Sequence, residues 1–153
     1  MAGAMLALMA AQGPSAAPPA QPAATDAAPT LVALGTMQSG LWHIRRVDGG
    51  TDTPSDICLG DPRVMLQLRH PAAACGSFVV DNEAKLTTVQ YSCPGAGGGR
   101  TSLRIESAAA VHIDSQGIAQ NAPFAFVAEA RRTGDCTPGH QPPAKAAPAP
   151  AAR

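Results

Sequence analysis

The middle of the chain alternates between apolar and polar residues with a period of two, and this alternation limits the possible folds most strongly. Lys85–Cys93 is the clearest case, because Val89 and Tyr91 would share one face while Gln90 and Ser92 share the other. Successive side chains of a β-strand point to opposite faces of its sheet. The pattern therefore predicts an antiparallel sheet with one buried and one solvated face.

Further strands are predicted where β-branched and aromatic residues recur between turn residues. They are Leu41–Val47, Ser77–Val80, Arg100–Ser107, Ala110–Asp114 and Pro123–Arg132. Turns are predicted at Asp48–Gly50, Asp81–Asn82 and Ser115–Gly117, and a flexible connection at Pro94–Gly99. We expect a mainly β domain, formed by an antiparallel meander sheet that is curved or partly closed.

One short α-helix is expected after Asp61-Pro62, because Asp can cap the first N–H groups and Pro is tolerated at the first helical position. Val64, Met65 and Leu68 recur at helical spacing. Pro71 would end the helix. A sheet with few aromatic residues could leave a cavity between itself and this helix.

The two ends of the chain differ in composition from its middle. Residues 1–24 start with an apolar run and are expected to be a signal peptide with a truncated, uncharged first part. Residues 25–33 are predicted to be a Pro/Ala linker, 34–140 a single β-rich domain, and 141–153 a disordered Pro/Ala tail. Once the signal is removed, no membrane-spanning segment is expected. Eleven basic residues balance eleven acidic ones, which argues against a nucleic-acid partner.

Cys58, Cys75, Cys93 and Cys136 form an even set, which favours two disulfides in an exported protein. Their spacing does not choose among the three possible pairings. We expect Cys58–Cys75, which would attach the helix to the sheet, and Cys93–Cys136, which would join the clearest strand to the last one. The cysteines lack the short spacing of zinc ligands, so neither a metal site nor a cofactor is expected.

Candidate ligand-binding residues are few. The chain has two Arg-Arg pairs, Arg45-Arg46 and Arg131-Arg132. Alternation turns one Arg of each pair inward, where it could bind a carboxylate of this chain or of a ligand. Trp42, Arg46 and Arg131 are therefore candidates for the rim of a ligand site. The four histidines are interpreted as surface residues, and no catalytic residue is predicted, since the chain has no Gly-x-Ser-x-Gly sequence.

Four short segments resemble the bacterial family defined by domain of unknown function 3617. They are Gly40-Leu41-Trp42, Ile57-Cys58-Leu59, Tyr91-Ser92-Cys93 and the segment from Arg131 to Cys136. The resemblance implies a small exported β-rich domain with several cysteines. It implies no activity, and Ser39 and His43 replace residues common in that family.

These features predict an exported protein, periplasmic or secreted, that is non-catalytic and binds a small ligand or a partner chain of the cell envelope. One alternative is an envelope enzyme, hydrolase-like or thiol redox, that uses His or Cys. The other alternative is a purely structural or accessory protein.

Overall fold

The computed structural model describes residues 29–50 and 56–138, which form one seven-stranded antiparallel sheet. The strands are β1 Gly40–Arg46, β2 Asp56–Leu59, β3 Gly76–Asn82, β4 Leu86–Cys93, β5 Gly97–Ser107, β6 Ala110–Ala119 and β7 Ala122–Gly134. Their order is β2-β1-β7-β6-β5-β4-β3, so β3 to β7 form a meander and β1 is added beside β7. The expected mainly β, antiparallel fold is confirmed. The sheet is open, with β2 and β3 as its edges.

One face of the sheet, the inner face, carries the hydrophobic core. Trp42, Leu103, Ile113 and Ala128 are wholly buried on it. Apolar residues that precede β1 or follow β2 cover this face and pack into the same cluster: Leu31, Ala33, Leu34, Met65, Leu66 and Leu68. The opposite face, the outer face, carries the polar members of the alternation, as the sequence pattern predicts.

The expected α-helix is wrong in type. Pro62–Gln67 is a 3₁₀ helix, and a second 3₁₀ helix covers Ala33–Thr36. The predicted start is confirmed, since the Asp61 side chain accepts a hydrogen bond from the N–H of Arg63 at 2.9 Å. The segment between Pro62 and Pro71 is short, and short segments often adopt i→i+3 bonds such as Val64 N–H to Asp61 C=O at 3.1 Å.

The connection predicted at Pro94–Gly99 is confirmed only for residues 94–96, because Gly97–Gly99 starts β5. Two predicted turns lie inside strands: Asp81–Asn82 in β3 and Ser115–Gly117 in β6. The chain reverses instead at Gln120–Asn121, where both residues have positive φ (52° and 61°). Positive φ at both central residues is the geometry of a type I′ hairpin. Strand β2 was not predicted.

The expected disulfide pairing is also wrong, because sheet order overrides proximity in sequence. Cys75 pairs with Cys93 and Cys58 pairs with Cys136. Gly76 lies opposite Ser92 in the β3–β4 register, which brings Cys75 to Cys93. Leu41 of β1 lies between Cys58 of β2 and Gly134 of β7, so the second disulfide links β2 to the end of β7.

The chain ends are described only in part. The expected signal peptide (1–24) and tail (141–153) lie outside the described residues. Within the predicted linker 25–33, Leu31 and Ala33 are buried against the sheet. The packed domain therefore includes residues before position 34, because these apolar side chains complete the cover of the inner face.

Candidate functional site

The predicted rim residues do not form one site. Trp42 is fully buried, and its indole N–H donates to the carbonyl oxygen of Gln38 at 3.0 Å. It therefore belongs to the core. The space between the sheet and its covering segments, where the sequence suggested a ligand cavity, is nearly filled, since a gap of only about 70 Å³ lies beside Leu31, Leu66 and Val79.

Arg46 points inward from the end of β1, and a carboxylate of the chain itself binds it. Its Nε and Nη2 donate to the two oxygens of Asp48 at 2.7 and 2.6 Å. Nη2 also donates to the carbonyl oxygen of Ala125, and the guanidinium lies 5.5 Å from the centre of the Phe126 ring. These bonds raise the pKa of Arg46 and hold the pKa of the Asp48 carboxyl well below its usual range.

Arg131 lies on the outer face, where 64% of its side chain is exposed, so it does not approach Arg46. The inward member of that pair is Arg132, which donates to the carbonyl oxygen of Ser39 at 2.7 Å. On the outer face, Glu129 accepts from Arg45 at 3.0 Å and lies 3.9 Å from Arg131. Two arginines thus share one carboxylate in exposed ion pairs of the kind that contribute little to stability.

The interpretation of all the histidines as surface residues is wrong for one of them. His43 is exposed and lies 3.0 Å from Asp56, whereas His70 is 4% exposed. His70 contacts the carbonyl oxygen of Ala96 through Nε2 at 3.0 Å and the Tyr91 hydroxyl through Nδ1 at 3.2 Å. Burial raises the pKa of Tyr91. Nε2 donates to the carbonyl oxygen, which can only accept, and His70 thereby links Tyr91 to the backbone at Ala96 in a structural role.

Residues on the outer face that the sequence did not single out form a different arrangement. Four side chains are successive register partners on β3, β4, β5 and β6: Phe78, Gln90, Arg100 and Gln116. We call this set the polar row. Phe78 is 70% exposed. Alternation placed Gln90 on the solvated face, but only the strand register brings the four together.

A groove of about 860 Å³ lies along the polar row and includes Gln90, Arg100 and Gln116 in its lining. Backbone of Gly97–Gly99 and Gly117 lines its middle, and Ile118, Pro123 and Phe124 border one end. These glycines are required by close strand approach, because a Cβ at Gly99 would lie 2.7 Å from the carbonyl oxygen of Gln116. Alternation places Gly98 on the outer face together with Arg100, so the side chain that Gly98 lacks leaves the groove open beside the row.

The fold and this groove define a small disulfide-linked protein with an open antiparallel sheet. No family model, curated protein or solved structure matches the chain. In the part of the chain that the structure describes, no helix is long and apolar enough to cross a membrane. Within the same residues, no three His, Cys, Asp or Glu side chains are grouped to hold a metal ion. The two disulfides fit a protein located outside the cytoplasm.

Proposed function

We propose that the protein is an exported, non-catalytic binding protein that holds a small ligand or a partner chain on the outer face of its sheet. The observation that carries this proposal is the polar row beside the groove. Among the described residues, the side chains of Gln90, Arg100 and Gln116 make no hydrogen bond or ion pair, although they lie next to one another.

Three other arginines and two buried hydroxyls of the sheet differ from the row, because they are bound within the protein. Arg46 is bound by Asp48, Arg132 donates to Ser39, and Arg45 is paired with Glu129. Buried Thr101 and Ser115 bond to each other at 2.7 Å. These groups therefore have partners inside the protein. The row beside the groove keeps its donors and acceptors available to another molecule.

The proposal that the protein is exported to the periplasm or secreted rests on its disulfides and not on the groove. Disulfides persist in oxidising compartments and are rare in the cytosol. All four cysteines are joined in the two disulfides. The apolar start of the chain and the resemblance to the family of domain of unknown function 3617 agree with export.

The titratable groups in the groove favour binding over catalysis. Among the described residues, its lining contains Tyr91 and Arg100 but no His, Asp, Glu or Cys. The Tyr91 side chain lies on the inner face, where its hydroxyl contacts Nδ1 of His70 at 3.2 Å, so this hydroxyl is not offered to the groove. The guanidinium of Arg100 has hydrogen-bond donors and no acceptor. The groove can therefore donate hydrogen bonds, but its lining has no general base for a hydrolase.

Site-specific photo-crosslinking in the producing cell tests the proposal. A photoreactive residue at position 116 lies in the groove, whereas one at position 32 lies on the layer that covers the inner face, where Val32 is 53% exposed. We expect adducts, to a small molecule or a protein, from position 116 and not from position 32. Equal labelling at the two positions, or none at either, would contradict a binding role for the groove.

A further inference from the structure

The polar row has a chemistry that narrows the class of ligand. Neighbouring strands lie about 4.8 Å apart, so the side chains from Phe78 on β3 to Gln116 on β6 span roughly 14 Å across the strands. An extended molecule that follows the row must run across the strands. A peptide that adds to the sheet would instead run along the edge strand and bond to its backbone. The direction of the row therefore favours a ligand recognised by side chains.

The two amides suit hydroxyl groups. Each Gln side chain offers both donors and an acceptor, and a hydroxyl group also donates and accepts. Gln90 and Gln116 lie on either side of Arg100 in the register, and none of the three bonds to another described residue. A chain of hydroxylated rings could bond to both amides at once.

Phe78 adds a platform at the edge of the sheet. Its ring is 70% exposed on the same face as Gln90, its register partner. The face of an aromatic ring carries partial negative charge, which attracts the polarised C–H groups on the flat side of a sugar ring. An aromatic platform next to amide side chains can thus hold both the apolar and the polar side of a saccharide.

Arg100 makes the row selective for an acidic ligand, because it lies at the centre of the row without an acidic partner among the described residues. Its register neighbours Gln90 and Gln116 are uncharged. A guanidinium binds a carboxylate through two parallel hydrogen bonds. A protein partner fits this site less well, since the centre of a protein interface is more apolar than its rim, whereas the middle of the row is formed by the polar side chains of Gln90 and Arg100.

We propose that the polar row is a binding site for an acidic oligosaccharide, with Phe78 stacking on a sugar ring, Gln90 and Gln116 bonding to hydroxyls, and Arg100 binding a carboxylate. This inference rests on the proposed binding function and names the ligand class for the same groove. Crosslinking of position 116 to a protein, with no saccharide bound, would refute the inference and leave the binding function standing.

The test is a titration of the full, disulfide-bonded chain followed by NMR, with oligogalacturonate and oligoalginate as uronate probes and an uncharged cello-oligosaccharide of equal length. We expect a uronate probe to shift the side-chain amide signals of Gln90 and Gln116. Phe78→Ala and Arg100→Gln should each weaken its binding about tenfold or more. Arg100→Gln should also remove the preference for the uronate over the uncharged chain.

The controls use residues outside the row. Arg104→Gln changes a neighbouring outer-face arginine of the same strand, and Val32→Ala removes an exposed apolar side chain from the opposite layer. Both variants should bind like the unchanged protein. The proposal is overturned if no uronate probe shifts the two amides at millimolar concentration, if the uncharged chain binds equally well, or if inorganic phosphate displaces the uronate at equal concentration.

Discussion

Asp48 accepts two hydrogen bonds from Arg46, and its Oδ2 also accepts from the backbone N–H of Val127 at 3.0 Å. One carboxylate thereby joins the turn after β1 to β7. Arg46 reaches Phe126 of β7 as well, with its guanidinium 5.5 Å from the ring centre. Alternation allowed an inward arginine to bind a carboxylate of this chain or of a ligand. For Arg46 the carboxylate belongs to this chain, and it holds the turn after β1 against the sheet.

Asp48→Asn should make folding stability less dependent on pH. The pKa of Asp48 is lowered in the folded state, chiefly by its bonds to Arg46. Ionised Asp48 therefore stabilises the folded state above the unfolded-state pKa, and this stabilisation is lost as pH falls below about 4. Urea denaturation at pH 7 and pH 3 measures this. The variant should be less stable at pH 7 and should lose less stability on acidification. An equal loss in both proteins would contradict the prediction. Asp114→Asn serves as control, because that carboxylate makes no ion pair among the described residues.

The two disulfides should contribute unequally to stability. They close loops with sequence separations of 78 and 18 residues. The chain-entropy relation then gives about 4.5 kcal/mol for Cys58–Cys136 and about 3 kcal/mol for Cys75–Cys93. Denaturant melts of the two double Cys→Ser variants measure the difference, and the variant lacking Cys58–Cys136 should unfold first. A non-reducing tryptic map checks the pairing, and a peptide joining Cys93 to Cys136 would contradict it.

Gly97→Ala should destabilise the protein by more than about 2 kcal/mol. Gly97 has a φ of 110°, and a Cβ there would overlap the carbonyl oxygen of Ile118 on the next strand. Gly76→Ala is the matched control, since Gly76 also lies in a strand but has no heavy atom within 4 Å of the added Cβ. Thermal melts should show a clear fall in Tm for the first variant and little change for the second. Equal Tm values for the two variants would contradict the prediction, because the neighbouring strands would then make room for a Cβ at position 97.

Thr87→Val should stabilise the protein by about 1 kcal/mol, because it removes an unpaired polar atom from the core. Thr87 is fully buried, and its hydroxyl has no hydrogen-bond partner among the described residues. In contrast, Thr101→Val should cost about 1–3 kcal/mol, since Ser115 would lose its buried partner. Urea melts of both variants compare these effects. A loss of stability in Thr87→Val would mean that its hydroxyl is bonded in solution.

Local patterns predicted most of the strands but not their full lengths. The alternation at Lys85–Cys93 matches β4, and the inward placement of Trp42 and Ile44 is confirmed by their burial. The sequence predicts a flexible connection at Gly97–Gly99, because an isolated run of glycines favours no regular structure. In the folded protein, close neighbouring strands require their small size, and this depends on residues far away in sequence.

The groove illustrates what local patterns cannot supply. Phe78 and Gln116 are far apart in the chain, and each taken alone is an ordinary exposed residue of a strand. Their alignment follows from the successive registers of β3 to β6. The same is true of Cys58 and Cys136, which meet because β1 lies between β2 and β7.

Side-chain periodicity determined, from the order of residues alone, that this chain forms an antiparallel sheet with one buried face. An even number of cysteines likewise indicated two disulfides. Tertiary structure decided which cysteines pair, which arginine turns inward at the end of β7, and which polar residues border the groove. The physical reason is range: alternation acts between neighbouring residues, whereas strand order and register depend on hydrogen bonds and packing between distant parts of the chain.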